Sequence, residues 1–187
     1  MIEIRWHGRG GQGAKTAAML FAETAIEEGK FAQGFPEYGP ERMGAPVKGF
    51  TRIDDKPIRI HSGIENPRVV VVLDQTLLET IDVTEGMPED GILIINTEKS
   101  PEQIRKQFGI KKGKIYTVNA TKIALDTIGR PIPNTVMLGA LIKVTGVLDL
   151  DTLLKNIVKK FSKKFSDKVV EGNVQAIKKA FEEVKGE

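Results

Sequence analysis

The spacing of apolar residues changes along the chain, and each change marks an element. Residues 2–6 (IEIRW) alternate apolar with polar and carry β-branched and aromatic side chains, which predicts a first strand. From Ala14 to Glu28, residues Ala17, Leu20, Phe21, Thr24 and Ala25 recur at three- and four-residue intervals, which predicts a helix stopped by Gly29. A short strand is expected near Phe31–Phe35. PEYGPERMGAP (36–46) follows, too rich in Pro and Gly for regular structure. Residues 47–60 (VKGFTRIDDKPIRI) predict a β-hairpin turning at Asp54-Asp55. VVVVLD (69–74), GILIIN (91–96) and KIYTVN (114–119) are short continuous apolar runs, as expected of strands covered on both faces of a parallel sheet. LLETI (77–81) and residues 101–108 predict short helices, and 121–129, 134–145, 149–161 and 167–184 longer ones.

Strands alternating with helices predict an α/β fold: a single open, mainly parallel Rossmann-like sheet flanked by helices, with an inserted β-hairpin. With no repeat and no long linker, residues 1–187 are expected to form one domain.

In such folds ligands bind beyond the C-terminal ends of the strands, often at the first strand–helix turn. That turn reads HGRGGQGAKTAA (7–18), where Gly8, Gly10 and Gly13 fit G-x-G-x-x-G. Glycine backbone approaches an anion closely, and the following helix N-terminus adds partial positive charge. Arg9 and Lys15 are candidate supplements. A dinucleotide site needs an acid ~20 residues further on, but that region holds Gln33 and no acid before Glu37. A P-loop needs Lys directly after the last glycine, but Ala14 intervenes before Lys15-Thr16. Neither NAD nor ATP is supported, and glycines that merely make a tight turn remain an alternative to phosphate binding.

Composition removes further classes. Of 187 residues, 40% are hydrophobic and 28% charged, with a net charge of +3. No basic face points to nucleic acid. There is no cysteine, hence no thiolate nucleophile and no thiolate ligand for zinc or an iron–sulfur cluster. Only His7 and His61 are available as imidazoles, and no metal site is expected. No run approaches the ~20 apolar residues that span a bilayer, so no membrane partner is expected and a cytoplasmic location is the simplest expectation.

Three motifs in order carry a resemblance: Gly8-Arg9-Gly10-Gly11-Gln12-Gly13, then Tyr38-Gly39-Pro40-Glu41-Arg42-Met43-Gly44, then Asn134 to Gly139 as Asn-x-x-x-Leu-Gly. Together they resemble the gamma subunit, or gamma domain, of the 2-oxoacid:ferredoxin oxidoreductases, over nearly the whole chain, with PEYGPERMGAPV most similar to the pyruvate-type members. Many members carry a basic or small residue where Met43 stands. The resemblance implies oxidative decarboxylation of a 2-oxoacid, with electrons passing to ferredoxin and the acyl group to coenzyme A. It implies no cofactor bound by this chain alone. Thiamine diphosphate, Mg and 4Fe–4S clusters would sit on partner alpha, beta and delta subunits. Coenzyme A would lie at or near the glycine loop, contacted by Gly8, Arg9, Gly10, Gly11, Gln12, Gly13, Lys15, Tyr38 and Arg42. Pro36, Glu37, Glu41, Met43 and Asn134 are expected at a partner interface, and no catalytic residue is expected in this chain.

Other readings compete. His7 and His61 read as packing or turn residues rather than general bases. In a second reading the glycine loop and PEYGPERMGAP instead dock partner chains without touching a ligand, for instance in an enzyme for 2-oxoisovalerate. A free-standing nucleotide-dependent enzyme is the third reading. In KNIVKKFSKKFSDKVV, residues Val158, Phe161, Phe165 and Val169 have helical spacing, which predicts an amphipathic helix whose lysine face is solvated or steers an acidic partner such as ferredoxin.

Overall fold

The computed structural model describes residues 1–40 and 42–187. Among them, one open sheet contains β1 (Ile2–Arg9), β2 (Phe31–Pro36), β3 (Pro46–Asp54), β4 (Val69–Val72), β5 (Ile92–Asn96), β6 (Lys114–Val118) and β7 (Lys185–Gly186). The spatial order is β2-β3-β1-β4-β5-β6-β7. β1, β4, β5 and β6 run parallel, while β3 and β2 extend the sheet antiparallel on one side and β7 closes the other. The helices are α1 (Ala14–Glu27), α2 (Pro101–Phe108), α3 (Ala120–Ile128), α4 (Asn134–Thr145), α5 (Leu150–Phe161) and α6 (Asp167–Glu183). This is the expected α/β class.

Successive side chains on a strand point to opposite faces, and here they feed two unequal cores. Ile4, Trp6, Val69, Val71 and Ile94 pack against α1, α3, α4, α5 and α6, with Trp6 meeting Phe21 edge-on at 6.3 Å between ring centroids. Val70, Val72, Leu93, Ile95 and Ile115 join Ile104 of α2, Val83 and Met87 in a smaller core on the other face. Both faces of β4 and β5 are therefore covered, which is why they read as unbroken apolar runs. Helix starts follow local chemistry: Ser100, Asn119, Asp149 and Ser166 each cap a helix through a side-chain acceptor.

The structure corrects the expected hairpin over residues 47–60. Residues 57–60 form no strand, and the antiparallel pair is β2 with β3. Pro57 lacks the N–H that a ladder requires. β1 supplies the other neighbour of β3 instead, in register from Ile2↔Ile53 to Arg9↔Pro46. The expected helix over 77–81 is a 3-10 turn at Gln75–Glu79. The stripe Val158, Phe161, Phe165 and Val169 does not share one helix. α5 ends at Phe161, Ser166 caps α6, and the two phenyl rings pack edge to face at 5.3 Å between them.

Candidate functional site

β1 continues to Arg9, so His7, Gly8 and Arg9 are strand residues and the loop proper is Gly10–Gly13. From β1 the chain turns through α1 to β2 and β3 on one side, while β4 lies on the other. The C-terminal ends of β1 and β4 thus flank the point where strand order reverses, the usual ligand crevice of such sheets.

The three sequence motifs converge there. The Gly10 N–H donates to the Ala45 carbonyl at 2.8 Å, and the Gly44 N–H donates to the Gly10 carbonyl at 3.1 Å. A Cβ on Gly10 would come within 2.2 Å of the Arg42 carbonyl oxygen, so only glycine permits this approach. Met43 Sδ lies over Gly11, 2.6 Å from where a Cβ would stand. Asn134, at the start of α4, donates from Nδ2 to the Gly13 carbonyl at 3.4 Å. Tyr38 and Met43 are 84% and 88% exposed. Pro36 ends β2, and Glu37 faces Lys48 with Oε1 to Nζ at 3.4 Å. Glu41 lies outside the described residues.

Asp74 and Thr76, at the end of β4, were not singled out from the sequence, although the acid ending VVVVLD was the available signal. Gln12 organises the turn through both ends of its amide. Its Oε1 accepts from the Arg9 N–H at 2.7 Å and its Nε2 donates to Asp74 Oδ2 at 2.7 Å. The Arg9 guanidinium donates to Thr76 Oγ1 at 2.9 Å and the Gly44 carbonyl at 3.1 Å, with Nε 3.4 Å from Asp74 Oδ2. Partial burial opposes ionisation of Asp74, but hydrogen bonds from Thr76 and Gln12 outweigh it and hold the carboxyl below its ordinary range. Arg9 is therefore charge-balanced within the protein.

The start of α1 is different. Gly13 takes the left-handed conformation at φ 80°, no side chain caps the helix, and its first turn holds no acidic residue. Its first N–H groups and the positive end of its dipole are uncompensated by any side chain. Lys15, in that first turn, and Arg42, whose backbone carbonyl lies against Gly10, are both exposed.

Neither histidine belongs to this crevice chemistry. His61 is exposed. His7 is 2% exposed and accepts at Nε2 from Arg5 Nε at 3.0 Å, which leaves the imidazole proton on Nδ1. Among the described residues, His7 Nδ1 is the buried side-chain polar atom without a partner. Burial, then the charges of Arg5 and Lys48, push its pKa down to about 3, so it is neutral at physiological pH. Among the described residues, no group of three His, Cys, Asp or Glu side chains is placed to hold a metal ion.

Comparison with known proteins places this geometry in a family. The chain is similar to pyruvate synthase subunit PorC of Thermotoga maritima, 55% identical over 184 residues that cover 98% of this chain and 95% of that one. It is 53% identical over 182 residues to the pyruvate/ketoisovalerate oxidoreductases common subunit gamma of Pyrococcus abyssi, covering 97% and 96% of the two chains. The crystal structure of pyruvate oxidoreductase subunit PORC from Thermotoga maritima matches with a TM-score of 0.87 at 50% identity, over 99% of this chain and 97% of that one. Residues 3–183 match the family described as pyruvate ferredoxin/flavodoxin oxidoreductase, and the chain belongs to that family.

Proposed function

We propose that this chain is the gamma subunit of a multi-subunit pyruvate:ferredoxin oxidoreductase, and that its glycine loop holds the phosphates of coenzyme A. The reaction is oxidative decarboxylation of pyruvate to acetyl-CoA with electrons delivered to ferredoxin. Thiamine diphosphate, Mg and the 4Fe–4S clusters belong in this reading to alpha, beta and delta partners and supply the decarboxylation and electron transfer. The present chain contributes binding and assembly.

The observation that carries the coenzyme role is the bare N-terminus of α1 at the strand-order reversal, with Gly13 at φ 80°, no side-chain cap and no acidic residue in its first turn. A pyrophosphate suits that position, because backbone N–H groups and the helix dipole both favour an anion there. Lys15 and Arg42 add charge, and Tyr38 marks the rim. Arg9 acts indirectly: tied to Asp74, Thr76 and Gly44, it fixes the loop's shape. Gly11→Val places a side chain against Met43 Sδ at positive φ. In the assembled enzyme it raises the apparent KM for coenzyme A about tenfold while sparing decarboxylation. Unchanged coenzyme A kinetics overturn the assignment.

A second reading rests on Tyr38 and Met43, two large side chains held in solvent on a segment anchored at Gly10 and Ala45. Exposed Tyr, Met and Arg match the core of a protein–protein interface, so this segment also docks a partner chain, with Pro36, Glu37 and Asn134 shaping its base. Titrating the isolated chain with coenzyme A separates a self-contained site from one completed by a partner.

A further inference from the structure

Along the flank of α1, adjoining the crevice only at Thr16 and Asn134, the helix, the α3–α4 connection and the α5–α6 turn enclose a groove of about 650 Å³. Met19, Leu20, Ile128, Ile132, Phe161 and Phe165 form its apolar surface. Met19, Ile132 and Phe165 are more than a third exposed, a cost to a protein standing alone in water. Arg130, Lys163 and Lys164 stand on its rim. We infer that this groove seats an acidic amphipathic segment of a sister subunit, its apolar side chains entering between Met19 and Phe165 and its carboxylates meeting Lys163, Lys164 and Arg130. The inference rests on the reading that the chain works inside a multi-subunit oxidoreductase.

Charge complementarity selects the sign of the partner. Lys159 and Lys160 are already paired, with Glu27 and Glu23 of α1. Among the described residues, Lys163, Lys164 and Arg130 have no acidic partner within ion-pair distance. The rim therefore presents uncompensated positive charge beside apolar surface.

The buried polar side chains lining the groove are already engaged, which argues against a small ligand. Thr135 Oγ1 donates to Asn173 Oδ1 at 2.8 Å, Asn173 Nδ2 donates to the Val169 carbonyl at 2.9 Å, and Asn134 is turned to Gly13. A ligand pocket instead presents a few convergent polar groups free to fix orientation. The extent of apolar surface argues against ferredoxin, because transient electron-transfer contacts are small while permanent ones are more hydrophobic. A permanently associated subunit is what remains.

Zero-length carbodiimide coupling of the native complex, read by mass spectrometry, tests this directly. The expected result joins Lys163 or Lys164 to an Asp or Glu of another subunit of the complex. Links to added ferredoxin alone, or lysines as reactive in the complex as in the isolated chain, overturn it. A chain carrying Lys163→Glu with Lys164→Glu is expected to melt like the wild type, since both side chains are exposed, yet to enter the complex about tenfold more weakly. Ile132→Glu, which puts a charge on the apolar surface, is expected to do the same. Normal assembly of both variants overturns the proposal. In complex that still forms, these changes leave the KM for coenzyme A untouched, whereas Gly11→Val alters that KM and leaves the coupling of Lys163 and Lys164 in place, so the two readings fail separately.

Discussion

Gly13 and Asn134 are 121 positions apart, yet Asn134 Nδ2 donates to the Gly13 carbonyl and sits 2.3 Å from where a Cβ on Gly13 would stand. The first and last motifs of the sequence are thus a single contact at the mouth of α1. The carbonyl of Gly13 also accepts from the Ala17 N–H at 3.0 Å, so the same oxygen begins the helix.

Gly13→Ala combines a strained positive φ with this collision, and is expected to lower stability by about 2 kcal/mol. Asn134→Ala vacates the space. The double variant Gly13→Ala with Asn134→Ala should therefore recover about 1 kcal/mol relative to additivity in a denaturant-unfolding cycle.

Gly139, which closes the Asn-x-x-x-Leu-Gly motif, does not face the crevice. A Cβ there would lie 2.1 Å from the Ile177 carbonyl oxygen, where α4 crosses α6. Gly139→Ala is expected to cost about 3 kcal/mol through overpacking, seen as a lower denaturation midpoint. Any folded fraction should keep the wild-type KM for coenzyme A. The motif thus divides: its asparagine serves the loop and its glycine the core.

Asp74→Ala removes the acceptor shared by Gln12 and Arg9 and frees the turn that they shape. An apparent KM for coenzyme A raised about tenfold is expected. Asp74→Asn keeps an oxygen acceptor for Gln12 and should fall between the two. Steady-state kinetics of the reconstituted enzyme provide the measurement.

His7 makes stability acid-sensitive above the pH range where carboxylates titrate. Its folded pKa, about 3, lies below the unfolded value near 6.5, so the unfolded chain binds the extra proton. The stability contribution is complete above pH 6.5 and is lost as pH falls toward 3. Between pH 7.5 and 5 the loss is about 2 kcal/mol. His7→Gln, which still offers Arg5 an acceptor, should flatten that interval in denaturant titrations at fixed pH.

Much of the fold was legible because local periodicity and burial coincide. The runs VVVVLD and GILIIN, expected as strands covered on both faces, are β4 and β5, and the helical windows of the second half became helices close to their expected bounds. The glycine loop, too, was visible as a strand–helix turn. What failed were pairings between distant segments. Residues 47–60 contain two plausible β-runs, but β3 took β1 and β2 as neighbours because Pro57 lacks a donor and β1 offered a longer register. The lysine-bearing stripe kept helical spacing on paper, yet the Ser166 cap broke it into two helices. The site shows the same division. Sequence alone named the glycines, Arg9 and Asn134. Only the tertiary structure joined Asn134 to Gly13, committed Arg9 to Asp74, and left the α1 N-terminus open. These outcomes depend on which side chains meet across the sheet, and hydrogen-bond geometry between residues remote in sequence has no signature in the periodicity of either segment.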